Sequence, residues 1–267
     1  MKYYLVLALV SSLYSCNHKE VNTKTEIDGV VINSTTTASV ELSKKEKAYA
    51  LPGLDHGLVQ SPINILSFAT GTTGKHQITT HFEDNINAVK NTGHSVQLDF
   101  APGSTISIDE ETFDFKQMHF HTPSEHLIDG MTYPMELHIV NTLPKKTPSD
   151  TTEYLVIGVL FKMGEKDNKF IEEFINSIPE KPHSKTDLKA GTVRLDDLFN
   201  GVCESTLDHY YHYKGSLTTP PNTESVRWYI YKQIFEASPK QIQRINELEG
   251  NNARHVQAIY GRHVDSE

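Results

Sequence analysis

From about Ala48 onward, short runs of β-branched and aromatic residues recur between clusters of Gly, Pro, Asn and Asp: HSVQLDF, STISID, MELHIVN, YLVIGVLFKM and SVRWYIY. Runs of this length, bounded in this way, predict strands. Two windows repeat at helical spacing instead. In NKFIEEFINSI, Phe170, Ile171, Phe174, Ile175 and Ile178 share one stripe. In SPKQIQRINEL, Ser238 stands at the N-cap, Pro239 takes the first helical position and Gln241 completes a capping box. Ile242, Ile245 and Leu248 then form its apolar stripe. No internal repeat and no second linker breaks the pattern. The expectation is one mainly-β domain of the α+β class over residues 48–267.

Residues 1–47 follow a different pattern. MKYYLVLALVSSLYSC has one Lys, an apolar run from Tyr3 to Val10, then small residues ending at Cys16. The run is shorter than the roughly 20 residues a bilayer span needs, so residues 1–16 read as a secretory signal peptide. Leu13-Tyr14-Ser15-Cys16 resembles a bacterial lipobox, in which the Cys is lipidated, although Tyr14 is bulkier than usual there. Cleavage nearby without lipidation is the alternative. Residues 17–47 are polar, rich in Thr, Ser, Glu and Lys, and read as a tether between a membrane anchor and the domain. The expected location is the periplasm or cell envelope of a bacterium, with the membrane met only through Cys16. With Cys16 lipidated, Cys203 is the remaining thiol and no internal disulfide forms.

Composition changes this picture little. The chain has 267 residues, 37% of them hydrophobic, with a formal net charge of −9. That charge argues against a nucleic-acid surface, which needs a basic patch. Oligomeric state is not legible in it.

Candidate chemistry begins in QMHFHTPSEH, Gln117 to His126. Residues two apart on a strand face the same side. Gln117, His119 and His121 therefore share one face, and Met118 and Phe120 the other. In YPMELHIVN, Met135, Leu137 and Ile139 take one face and Glu136, His138 and Val140 the other. Side by side, the two strands offer three imidazoles, a known ligand set for catalytic zinc that leaves a fourth position open. A polar face set between apolar ones is costly unless its groups are paired or metal-bound. A hydrogen-bonded histidine cluster is the alternative on these strands alone.

QMHFHTPSEH and ELHIVN resemble the two zinc-ligand segments of the α-class carbonic anhydrases. QSPINI (Gln60–Ile65), NTGHSVQ (Asn91–Gln97), GSLTTPP (Gly215–Pro221) and NNARHVQ (Asn251–Gln257) resemble that family's other signatures in the same order, over about Leu51 to Arg262. The resemblance implies a large twisted, mostly antiparallel sheet of about ten strands with short peripheral helices, and Zn2+ at the bottom of a conical cleft. His119, His121 and His138 would be its ligands. Gln117 and Glu136 would orient His119 and His138, and a backbone carbonyl at Asn252 would orient His121. The implied reaction is reversible hydration of CO2 to bicarbonate and a proton by zinc hydroxide, with esterase activity as a side reaction. Thr218 would aim the hydroxide and pass its own proton toward Glu125, while its backbone amide would hold a substrate oxygen. Val140, Val156, Leu217 and Trp228 would form the apolar wall, with Thr219 also at the substrate pocket. His94 would shuttle the proton, as suits a side chain whose unperturbed pKa is about 6.5. His126 reads as structural, Tyr213 as a buried tyrosine near the site, and His209 and His212 as packing or surface residues.

Departures from the family pattern leave these groups in place. The segment before QSPINI is short, and the family's usual Trp- and Tyr-bearing stretch is hard to find in KAYALPGLDHGLVQSPINI. Asn222 stands where secreted relatives often place a bridging Cys, so the loop bearing Thr218 is expected to be held by packing alone. Thr122-Pro123 follows the second histidine where a Trp is common, and His255 and Ala258 replace frequent prolines. A non-catalytic binding module on this fold would have lost one or more of the three histidines. A dedicated ester hydrolase would need a pocket for a larger acyl group.

Overall fold

The computed structural model describes residues 57–72, 76, 78–83, 85–199, 202 and 208–267. The expected signal peptide with Cys16, the expected tether of residues 17–47, and Cys203 lie outside the described residues. Among the described residues no helix is long and apolar enough to cross a membrane.

Fifteen strands follow one another along the described chain: β1 Asn64–Ile65, β2 Ile78–His81, β3 Ile86–Asn91, β4 Val96–Phe100, β5 Thr105–Ile108, β6 Glu111–His121, β7 Leu127–Ile128, β8 Met131–Thr132, β9 Met135–Thr142, β10 Tyr154–Met163, β11 Ser184–Asp187, β12 Tyr210–Gly215, β13 Val226–Tyr231, β14 Phe235–Ala237 and β15 Asp265–Ser266. Twelve form one sheet with the path β11-β3-β4-β6-β9-β10-β13-β12-β15, to which β14, β2 and β5 attach; β1, β7 and β8 form a second, small sheet. The large sheet exceeds the ten strands expected, because short edge segments such as β2, β14 and β15 pair without a strong sequence signal. Its ladders are antiparallel except where β10 meets β13 and β14.

Both helices form where periodicity places them, although the first ends at Ile175, short of Ile178, which is buried from the turn that follows. In α1, Lys169–Ile175, Asn168 caps the first turn by accepting the Ile171 N–H. In α2, Pro239–Glu249, Ser238 and Gln241 close the capping box. Gln241 also exchanges hydrogen bonds with the backbone of Asn168, at 2.7 and 2.9 Å, which joins the two helix starts.

Alternation divides the core between the two faces. Met118, Phe120, Leu137, Ile139, Ile157 and Val159 pack with Phe170, Phe174, Ile242 and Ile245 in the larger cluster. On the opposite face Val140, Val156, Leu160, Trp228 and Ile230 form a smaller one. The candidate site residues lie on this second face. In β6 the alternation changes phase part-way along: Phe113 and Phe115 point to the larger core at odd positions, Met118 and Phe120 at even ones. A bulge explains the switch, since Phe115 pairs with Asn141 and Gln117 with Val140, leaving Lys116 as the extra residue. That inserted residue turns Gln117, His119 and His121 out of the core and toward the site.

Candidate metal centre and its cleft

The centre stands on two adjacent strands. In the β6–β9 ladder His119 pairs with His138, His121 with Glu136 and Gln117 with Val140. The outer nitrogens of two histidines are taken: His119 Nδ1 lies 2.9 Å from Gln117 Oε1, and His138 Nε2 lies 2.9 Å from Glu136 Oε1. This leaves His119 Nε2 and His138 Nδ1 as their free donor atoms. Both nitrogens of His121 are buried without a hydrogen-bond partner among the described residues. One nitrogen from each of the three rings lies within 4.8 Å of the other two. Orphaned, converging imidazole nitrogens are what a tetrahedral zinc site with an open fourth position requires, so the residues fit the ion.

Electrostatics agree with that use at two of the three rings. Burial, then the nearby His138 charge, push His119 down to about 3, and the same causes carry His121 well below its usual value. Neutral imidazole is the ligating form. His138 moves the other way: burial opposes its charge, but the Glu136 carboxylate beside it outweighs that and raises the pKa.

Glu136 is fully buried. Its Oε2 accepts the backbone N–H groups of Glu125 and His126 at 2.9 and 2.8 Å, and its Oε1 meets His126 Nδ1 at 2.7 Å and His138 Nε2. Hydrogen bonds to a charged group are worth about 1.5–3 kcal/mol each, enough in sum to offset a burial cost of several kcal/mol. Burial pushes this carboxyl up, yet His126 and His138 hold it well below the usual carboxylate range. His126 in turn reaches Tyr213 Oη at 2.6 Å, and Tyr213 donates to Ser61 Oγ at 2.9 Å. His126 is thus a structural brace under His138.

An interior glycine makes room for this carboxylate. Gly158 pairs with His138 across β10, and a Cβ there would lie 3.1 Å from Glu136 Oε1 and 2.5 Å from Ile230 Cδ1. A lone Gly inside the apolar run YLVIGVLFKM signals close approach of a neighbour, a signal the sequence reading passed over.

Glu125 sits beside the histidines, its carboxylate oxygens 3.6 Å from His121 Nδ1 and 3.9 Å from His138 Nδ1. Its Oε1 accepts the Arg254 N–H at 2.9 Å. Burial raises its pKa, while His138, the Arg254 N–H and the Thr218 hydroxyl favour its charged form. Thr218 is therefore next to Glu125, although no hydrogen bond of ordinary geometry reaches Oε2. The loop bearing Thr218 is held by more than packing. Asn222, in the left-handed region at φ 60°, donates its backbone N–H to the Thr219 carbonyl at 2.9 Å and its side-chain amide to the Leu217 carbonyl at 3.2 Å. Gln60 Nε2 holds the Asn222 carbonyl from below at 3.2 Å. These hydrogen bonds form a polar clasp around the loop.

A cleft of ≈ 430 Å³ opens over the centre, with His94, His119, His121, Thr219, Glu249 and Asn252 among its walls. His94 is exposed at its edge. Val140, Val156 and Trp228 lie in register across β9, β10 and β13, with Leu217 packed against their cluster. Trp228 stacks edge-on at 4.8 Å from His138, so the apolar row abuts the three histidines. Asn252 acts through its side chain: Nδ2 donates to the His94 and Phe120 carbonyls at 2.8 and 3.2 Å, and Oδ1 accepts the Thr122 N–H at 3.1 Å. Its carbonyl makes no hydrogen bond to His121. Glu249, which sequence reasoning did not single out, is pushed up to about 8 by burial. His209 reaches the Glu267 carbonyl at 3.2 Å, and His212 packs on Tyr229 away from the cleft.

Known proteins resemble this chain throughout the domain. The family described as eukaryotic-type carbonic anhydrase matches residues 44–267. A carbonic anhydrase of Neisseria gonorrhoeae is 34% identical over 214 residues, covering 78% of this chain and 77% of the relative. Among solved structures, the α-carbonic anhydrase of Thermovibrio ammonificans in complex with sulfanilamide superposes with a TM-score of 0.70 at 33% identity, over 78% of this chain and 87% of that one. That of Photobacterium profundum gives 0.69 at 32% identity, over 78% and 89%.

Proposed function

The chain belongs to the eukaryotic-type, or α, carbonic anhydrase family, and on that footing we propose that it interconverts carbon dioxide and bicarbonate at a zinc ion held by His119, His121 and His138. The observation that carries this reading is the convergence of the three imidazole nitrogens within 4.8 Å, with Gln117 and Glu136 fixing two of the rings from behind. When bound there, zinc supplies a Lewis acid that makes water ionise near pH 7.

The chain's own residues do the rest. The Glu125 carboxylate can only accept, so it draws the Thr218 proton to itself and leaves the Thr218 oxygen to accept from the attacking oxygen. The Thr218 backbone N–H is offered to a substrate oxygen, and the Thr219 side chain borders the same space. Val140, Val156, Leu217 and Trp228 give the small apolar substrate a dry wall beside His138. His94, exposed at the cleft edge, takes the proton released in each turnover and gives it to buffer. The same centre would open activated esters slowly. The lipobox-like Cys16 and the polar stretch after it support export to a bacterial envelope with a lipid anchor, which the mass of the mature N-terminus tests.

Stopped-flow CO2 hydration tests the assignment on wild type, His119→Ala and Thr218→Ala. Zinc-loaded wild type should be fast and His119→Ala should fall to the buffer rate. Thr218→Ala should lose about 10²–10³-fold, as when a single group aligned on the reacting oxygen is removed. Equal rates in all three would reject the reading.

A further inference from the structure

Glu249 is a buried carboxyl of the cleft that the ligand set and Thr218 leave unused. It ends α2, is 7% exposed, and has no Lys or Arg partner among the described residues. A helix C-terminus carries partial negative charge, so both burial and the helix disfavour an acid here. A buried acid in such a place is a candidate for a specific role.

Its two oxygens reach two different strands. Oε2 accepts the Val96 N–H at 3.0 Å, and Oε1 accepts the Thr122 hydroxyl at 2.9 Å. Val96 opens β4 directly after the turn that carries His94, and Thr122 directly follows His121 at the end of β6. The β4–β6 ladder ends at Gln97 with His119. Beyond that pair the strands part, and Glu249 bridges the opening. The rest of the turn is already tied. Asn91 Oδ1 accepts the Gly93 N–H at 2.9 Å, Thr92 and Ser95 bond to each other, and Asn252 holds the His94 carbonyl. On the outer side the His183 ring lies against Gly93, where a Cβ would come within 2.8 Å of its Cε1.

We propose that Glu249 is a positioning residue for proton transfer: it clamps the His94 turn to the His121 end of β6 and thereby sets the reach of the His94 imidazole into the cleft. The proposal rests on His94 being the proton acceptor. The clamp works through contacts, and charge is not what it needs. A glutamine can keep both, its carbonyl accepting the Val96 N–H and its amide donating to Thr122 Oγ1. The hydroxyl then turns to the Gly250 carbonyl, which already lies 3.1 Å away. A methionine of similar length keeps neither.

The test compares zinc-loaded wild type, Glu249→Met, Glu249→Gln and His94→Ala in dilute and concentrated imidazole-type buffer. Glu249→Met should lose several-fold in kcat in dilute buffer, keep kcat/KM within about twofold, and regain kcat in concentrated buffer. Glu249→Gln should stay near wild type. Independently of activity, amide exchange at Val96, followed by NMR on the metal-free chain, should be slow in wild type and the Gln variant and fast in the Met variant. A Met variant whose kcat and kcat/KM fall together without rescue would overturn the proposal, because that is general damage. A Met variant with unchanged kcat, or a Gln variant as impaired as Met, would also overturn it. If His94→Ala shows no deficit that buffer repairs, His94 is not the acceptor and the proposal falls with it; if it does and Glu249→Met does not, the clamp alone is rejected.

Discussion

Two histidine clusters sit on the same sheet and differ in what surrounds their nitrogens. At the centre, His119, His121 and His138 have ring centroids 4.5–5.3 Å apart. Toward the far end of the sheet, His76 and His212 are just as close, at 5.0 Å, with Tyr229 4.6 Å from His212. Both places hold buried nitrogens without hydrogen-bond partners. The central rings, however, are backed by Gln117 and Glu136, so their inner nitrogens converge. The peripheral pair belongs, among the described residues, to no group of three donors within 4.8 Å. His76 turns its Nδ1 to Asp109 at 2.8 Å, and Asp265 stands 3.9 Å from His212. Crowding of imidazoles is therefore a packing result. A carboxylate behind one ring is common to both places; what the centre adds is a third ring whose inner nitrogen converges with the other two, the donor set a metal ion could use.

The largest break in this contrast should come from Glu136→Gln. It removes the charge that holds His138 and His126 together, and zinc affinity should fall about 10–100-fold in chelator competition. An unchanged affinity would mean that the backing of His138 does not matter. A middle-sized effect belongs to the other cluster. Burial, then the nearby His76, push His212 down to about 4. Its folded pKa is depressed, so the unfolded chain binds the extra proton first. The stability it contributes is complete above about 6.5, the unperturbed histidine pKa, and fades as pH falls toward 4. His212→Asn should flatten that part of the stability curve, measured by denaturant unfolding from pH 7 to 4 on the zinc-loaded chain. An unaltered slope would show that another group is responsible. The smallest effect is on function: the same variant should keep zinc content and CO2 hydration at wild-type level, and a loss of either would join the two clusters.

Much of the centre was legible because a strand's period of two is strict. QMHFH and ELHIV each announce which residues share a face, and the ladder pairs them as alternation requires. What escaped depended on pairing between distant segments. The bulge at Lys116 is visible in hindsight as the slip from Phe113 and Phe115 to Met118 and Phe120, but only the β9 partner shows that it turns the histidines outward. Gly158 matters because Glu136 and Ile230 close over it, and neither is near it in the chain. The clasp at Asn222 depends on Gln60, and the bridge at Glu249 joins a helix end to two strands. The helices were plain from Ser238-Pro239 and from the stripe Phe170, Ile171, Phe174. The edge strands β2, β14 and β15 were not, since two to four residues carry too little pattern to register.

The most direct test of the account adds zinc stepwise to the metal-free chain while CO2 hydration is followed by stopped flow. The account predicts a rate that rises in proportion to zinc and breaks at one ion per chain, with nothing gained beyond it. A rate that stays at the buffer level, or that keeps rising until a second ion is bound, would contradict it.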